Sequence, residues 1–112
     1  MKRPLAALLL ALAAAPTTAT AASAIEEGKK LAFSVTKGNC LACHMIIGGE
    51  AFGNLAPPLI AMSQRYPDKK QLHKQIYDAT VANPETTMPP FGRHKILSDA
   101  EIGKIVEYVW SL

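Results

Sequence analysis

The chain has 112 residues, with 12 Lys and Arg against 9 Asp and Glu, and 49% of it is apolar. That length leaves room for one domain and excludes a multidomain enzyme. The formal charge of +3 is too weak a field for a nucleic-acid partner, and part of it belongs to a segment that is expected to be lost.

The N-terminus opens with Met1-Lys2-Arg3, and Leu5 to Ala15 holds only Leu and Ala. Such a run rises about 16 Å as a helix, well short of the roughly 30 Å of a hydrocarbon core. A tract of small residues follows and ends at Ala22-Ser23-Ala24. This order of charged, apolar and small residues predicts a secretory signal peptide over residues 1–24, cleaved after about Ala24. The expected destination is the periplasm, with no stable membrane anchor; an uncleaved anchor is the alternative. Lys2 and Arg3 leave with the peptide, so 12 basic residues become 10 against 9 acidic, a net charge of +1.

The remaining domain, residues 25–112, is small enough to need reinforcement of its core. Its two cysteines sit three apart. A disulfide between them would close a tiny loop and add little stability. Residues 25–36 read as a helix, with Ile25, Gly28, Ala32 and Val35 on one stripe and Lys29 and Lys30 on a solvated face. Gly28 on the stripe allows close approach of another helix. Gly38-Asn39 breaks the pattern ahead of the cysteines. Residues 48–58 form a loop ending in Pro57-Pro58. A second helix is predicted over residues 68–81, with Leu72, Ile76 and Ala79 on one face, stopped by Asn83-Pro84. Residues 86–92 form another loop. Ser98-Asp99-Ala100-Glu101 predicts a capping box, starting a third helix with Ile102, Ile105, Val106 and Val109 at i, i+3, i+4 and i+7. The class is all-α: three helices joined by two loops that need something to hold their shape.

Cys40-Leu41-Ala42-Cys43-His44 carries the chemistry. Cys-x-x-Cys-His is the attachment pattern of c-type haem. Two thiols on adjoining turns can add to the two vinyl groups on one porphyrin edge, and the next residue, His44, is then held beneath the iron as a ligand. The other ring nitrogen of His44 should donate to a backbone carbonyl, for which the loop ending at Pro57-Pro58 is the natural source. A thioredoxin-like thiol pair would follow a strand in an α/β pattern, which is missing. A zinc site would need further paired ligands, and only His73 and His94 are left.

An electron carrier usually has a second axial ligand, often Met. Met45 follows His44 directly and cannot reach the opposite face. Met62, Met88, His73 and His94 remain. Met88 is favoured because it lies in a loop stiffened by Pro89-Pro90. Met62 reads as core, His73 as an edge or surface residue, and His94 as exposed. Thioether ligation would leave no open position on the iron, which argues for electron transfer rather than catalysis. Phe91, Tyr108 and Trp110 are expected to wall the haem or the junction of the first and last helices. Lys37, Arg65, Arg93 and Lys95 are candidates to pair with haem propionates or a partner, or are simply solvated.

Several longer elements occur in order: Gly38-Asn39-Cys40-Leu41-Ala42-Cys43-His44, Gly53-Asn54-Leu55-Ala56-Pro57-Pro58, Arg65-Tyr66-Pro67-Asp68, and Met88-Pro89-Pro90-Phe91-Gly92-Arg93-His94 before Ile96-Leu97-Ser98. Together they resemble SoxX, the small monohaem subunit of the SoxAX cytochrome of bacterial sulfur oxidation. The resemblance implies a class I cytochrome c fold around one covalent haem c. It places the thioethers on Cys40 and Cys43 and the axial ligands on His44 and Met88. It also implies SoxA as heterodimeric partner, bearing the active-site haem, and SoxYZ as the carrier whose cysteine receives thiosulfate. A soluble cytochrome c would be the electron acceptor. On that reading the chain is an electron-transfer subunit of an L-cysteine S-thiosulfotransferase, not catalytic alone. Two other readings are a free-standing class I cytochrome c and an exported thiol–disulfide protein.

Overall fold

The computed structural model describes Met1 and residues 17–112. The apolar run Leu5–Ala15, on which the signal-peptide expectation mainly rests, lies outside the described residues. All regular structure among the described residues is helical: α1 (Thr17–Phe33), α2 (Met62–Arg65), α3 (Lys69–Tyr77) and α4 (Asp99–Trp110), with short 3-10 turns at Cys40–Ala42 and Ala79–Val81.

α1 differs from the expected helix at both ends. It starts at Thr17 and runs unbroken past Ala24, through a segment rich in Ala, the strongest helix former. It stops at Phe33, three residues early, because the β-branched Val35 and Thr36 enter a turn. That turn closes with Gly38 N–H donating to Leu31 O (3.1 Å) and Asn39 N–H to Ser34 O (2.9 Å). Val35 is therefore off the helix and 79% exposed, not on the buried stripe. Gly28 and Ala32 are buried as expected.

α1 packs against α4, and Gly28 sets the distance. A Cβ at Gly28 would lie 2.0 Å from Lys104 O and 2.9 Å from Tyr108 Cβ, so only glycine lets the backbones meet. Phe33 meets Tyr108 edge to face, centroids 5.9 Å apart at 85°. Tyr108 thus occupies the junction of first and last helices. Trp110 does not; its indole N–H donates to Tyr66 O (2.9 Å), tying α4 to the end of α2.

The four predicted apolar residues of α4 are all buried, Ile102 completely. Ser98 caps the helix, its Oγ accepting from Glu101 N–H at 3.1 Å. The reciprocal half of the capping box is replaced: the Glu101 carboxylate takes Lys37 Nζ at 3.1 Å and so ties α4 to the turn after α1.

The helix predicted over 68–81 is two pieces. Asp68 caps α3 by accepting from Lys70 N–H (2.9 Å). Asp78 then leaves helical geometry (φ −155°, ψ 92°) and caps the Ala79–Val81 turn in its own right, its side chain accepting from Thr80 N–H. Leu72, Ile76 and Ala79 are nonetheless all buried, so the apolar face survives the break. The short α2 begins at Met62, which was expected near the start of a helical stretch; its four residues carry too little periodicity to bound it from the sequence. Its Met62 is 2% exposed and belongs to the core.

Candidate functional site

Asn39 adopts φ 48° just ahead of the cysteines, a left-handed conformation that Asn tolerates better than most residues. The chain then turns through Cys40–Ala42, and His44 N–H donates to Cys40 O at 2.9 Å. Both cysteines are free thiols and partly buried. Burial pushes the Cys40 thiol up to about 11, against a smaller downward pull from its own backbone.

His44 Nδ1 lies 2.7 Å from Pro57 O. The Pro57 ring fixes φ at that residue, which steadies the accepting carbonyl. The bond fixes the imidazole with Nδ1 protonated and Nε2 free to ligate. The segment that delivers this carbonyl is sewn to the motif. Gly53 N–H donates to Leu41 O (2.7 Å), Ala56 N–H to Cys43 O (3.0 Å) and Leu59 N–H to Met45 O (2.9 Å). A Cβ on Gly53 would lie 2.1 Å from Ala42 O, so the close approach depends on glycine. Arg65 closes the far end, donating to Pro58 O (2.9 Å) and to Met62 Sδ (3.2 Å).

Met88 is half-buried and packs against the core cluster, as does Cys40. Thr86 Oγ1 accepts from Met88 N–H (3.2 Å). After Pro89-Pro90 the strap turns sharply: Phe91 N–H donates to Pro89 O and His94 N–H to Pro90 O, both at 2.9 Å. Gly92 and Arg93 N–H both donate to Tyr77 O, at 3.0 and 3.4 Å. A Cβ on Gly92 would lie 1.9 Å from the Tyr77 ring. Phe91 is buried in the core.

The other candidates are placed elsewhere. His73 Nε2 sits 3.1 Å from Asp99 Oδ1 and its ring stacks on Tyr77. His94 is exposed. Among the described residues, no three His, Cys, Asp or Glu side chains gather as a metal-binding set, which leaves the zinc alternative without a site. Three of the four cations held open for propionates already have protein partners: Lys37 has Glu101, Arg65 has Pro58 O and Met62 Sδ, and Arg93 has Asp78. The motif points to the haem; the Lys37 and Arg93 ion pairs and the Gly53 and Gly92 cradles join residues well apart in the chain, which no local spacing announces, whereas Arg65 reaches Met62 only three residues away. The Asp78-x-Thr80 spacing is a local turn signature that could have marked the break in the helix.

Residues 25–112 match the cytochrome c family. The chain belongs to that family. It is also similar to an uncharacterized lipoprotein of Aquifex aeolicus (strain VF5), 39% identical over 77 residues that cover 65% of this chain and 36% of the relative. The chain therefore spans about a third of the length of that relative. The fold expectation is met: an all-helical chain without strands among the described residues, consistent with a class I cytochrome c.

Membership of a cytochrome c family means covalent haem c, and the residues present fit it. Cys40 and Cys43 stand in the attachment spacing with His44 next to them. The imidazole is oriented by its second nitrogen. Ile47 (77%) and Leu55 (81%), in the loop that follows the motif, are exposed apolar side chains of the kind an apolar group could cover. No helix among the described residues is long and apolar enough to cross a membrane.

Proposed function

We propose that this cytochrome c is a periplasmic monohaem electron carrier and that it serves as the SoxX-type subunit of a SoxAX complex. In this reading Cys40 and Cys43 carry the thioethers, His44 is the proximal ligand and Met88 the distal one. The observation that carries the ligand assignment is the His44–Pro57 hydrogen bond beside the cysteine pair, which orients the imidazole with its other nitrogen available to ligate. Met88 is favoured over Met62 because Met62 is consumed by the core, 2% exposed with its sulfur accepting from Arg65.

Bound haem supplies a one-electron couple. The polypeptide's part is to keep that couple tight. His44 stays oriented by Pro57 O, and Met88 stays on a proline-stiffened strap and packs against the buried core cluster, which excludes water. Little then has to move between redox states. The subunit assignment rests on the Met-Pro-Pro-Phe-Gly-Arg-His strap together with the Tyr-Pro-Asp element. In the reaction it implies, the SoxYZ thiol and thiosulfate form a sulfur–sulfur bond, release a proton and give up an electron pair. SoxA receives these electrons, and this chain passes them singly to a soluble cytochrome c. Export follows from the predicted signal peptide over residues 1–24 and from the need to attach haem outside the cytoplasm.

Affinity capture of the native protein, followed by haem staining, tests the subunit reading. A co-purifying larger haem protein, and loss of thiosulfate oxidation on deletion, are the expected results. Recovery of the chain alone, with thiosulfate oxidation intact in the deletion strain, would instead favour the free-standing carrier.

A further inference from the structure

Arg93 was a candidate for a propionate or a partner, yet its guanidinium is engaged within the chain. Arg93 Nε lies 2.7 Å from Asp78 Oδ2, and Nη2 donates to Thr80 Oγ1 at 3.5 Å. The other carboxylate oxygen, Oδ1, accepts from Thr80 N–H (3.1 Å) and Thr80 Oγ1 (2.5 Å). The Asp78 side chain is only 13% exposed, against 51% for Arg93. These donors hold the Asp78 carboxyl below the usual carboxylate range, Thr80 contributing most.

The placement matters more than the pair itself. The strap bearing Met88 leaves the Ala79–Val81 turn and comes back to it. At the outgoing end Asn83 N–H donates to Ala79 O and Thr86 N–H to Asn83 O, both at 3.1 Å, before Thr86 Oγ1 receives Met88 N–H. At the returning end Arg93 meets Asp78. Between Met88 and Arg93 the chain is a stiff turn with two prolines and the Phe91 and His94 hydrogen bonds. The same end is also held by Gly92 and Arg93 N–H on Tyr77 O, so the Arg93 side chain adds a second tie to the strap that carries Met88.

We infer that Asp78 and Arg93 form a positioning clasp that closes the Met88 strap, so that opening it frees the distal position without disturbing Cys40, Cys43 or His44. This rests on the reading of Met88 as the sixth ligand. An ordinary exposed ion pair of this kind would contribute almost nothing; a clasp that closes a loop of some 15 residues changes how readily the loop opens.

The test uses the holoprotein and imidazole as a competitor for the distal position of the ferric haem. Arg93→Ala and Asp78→Asn should each tighten apparent imidazole binding about tenfold, the size of one lost charge-assisted hydrogen bond. The double variant should do no more than either single change, and Arg93→Lys should fall between wild type and Arg93→Ala. Lys69→Ala, which removes a comparable pair with Glu107 (2.7 Å) elsewhere on α3 and α4, should leave imidazole binding unchanged. Met88→Ala, run in parallel, should abolish the near-infrared sulfur-to-iron band. Retention of that band would overturn the ligand reading and the clasp with it. Loss of the band in Met88→Ala, with imidazole binding in Arg93→Ala and Asp78→Asn within twofold of wild type, would overturn the clasp alone. Additive effects of the two single changes would also contradict a shared clasp. If Arg93→Ala fails to mature, the nearly isosteric Asp78→Asn decides.

Discussion

The two loops that present the proposed axial ligands are held by different bonds. Residues 45–59 are stitched directly to the cysteine motif, through backbone hydrogen bonds to Leu41 and Cys43, and are closed on themselves by Leu59 N–H on Met45 O. Residues 83–97 hang from α3, through Tyr77 O and the Asp78 carboxylate, and from their own internal turns. On the His44 side, therefore, the ligand cannot move without the thiols and the loop moving too. On the Met88 side no backbone hydrogen bond ties the loop to the motif; Phe91 and Leu97 seat it on the core, and Tyr77 O and Asp78 hold its returning end. The comparison teaches that one fold can give one ligand permanence and the other an adjustable hold, and the bonding pattern, more than burial, separates the two.

The largest effect expected from breaking this contrast is on the His44 side. Gly53→Ala brings a Cβ to 2.1 Å from a backbone carbonyl, which cannot step aside. It should destabilise the holoprotein by about 3 kcal/mol, read by denaturant unfolding, and lower the yield of attached haem. A neutral Gly53→Ala would mean that the stitching is not tight.

Next is Met88→Ala, which should remove the sulfur-to-iron band and lower the reduction potential while leaving the haem attached, as spectroelectrochemistry would record. If Met62→Ala does this and Met88→Ala does not, the ligand assignment is wrong.

Gly92→Ala is the matched counterpart of Gly53→Ala. Its Cβ would sit at 1.9 Å, but from the Tyr77 ring, a side chain with 42% exposure and room to swing outward. The cost should be nearer about 1 kcal/mol. Equal losses at Gly53 and Gly92 would erase the distinction between a backbone neighbour and a mobile one.

The smallest effect concerns acid. Asp78 titrates below the ordinary carboxylate value because Thr80 and Arg93 favour its charged form. A depressed folded value means that the contribution is present above the unfolded carboxylate range, near ~3.9, and is lost as pH falls through the lowered value. The sulfur-to-iron band should fade on the acid side before His44 is lost, and Asp78→Asn should flatten that early phase. Simultaneous loss of both ligands in wild type would contradict the separation of the two loops.

Much of this was legible in the sequence, and for identifiable reasons. Ile102, Ile105, Val106 and Val109 repeat with helical period, so their burial could be read directly. The His44–Pro57 bond was legible because a histidine next to the cysteines needs an acceptor and a proline-ended loop lies nearby. What escaped were side-chain partners, some remote in the chain and some close by, such as Thr80 two residues from Asp78 and Met62 three from Arg65. Glu101 left its capping box for Lys37; Asp78 split a helix to serve Thr80 and Arg93; Arg65 turned inward to a carbonyl and a sulfur. Val35 fitted a helical stripe by spacing, but the helix ended before reaching it. Periodicity reports which face is apolar; it does not report where a competing hydrogen bond ends the element.

The account's central claim is that Cys40 and Cys43 hold a haem that His44 ligates. Intact mass measurement of the exported, denatured protein, with peptide mapping of the motif, tests it most directly. The expected result is a chain heavier by one haem, with the added mass retained on the peptide containing Cys40 and Cys43. An exported chain at the bare polypeptide mass, with both thiols open to alkylation, would contradict the account.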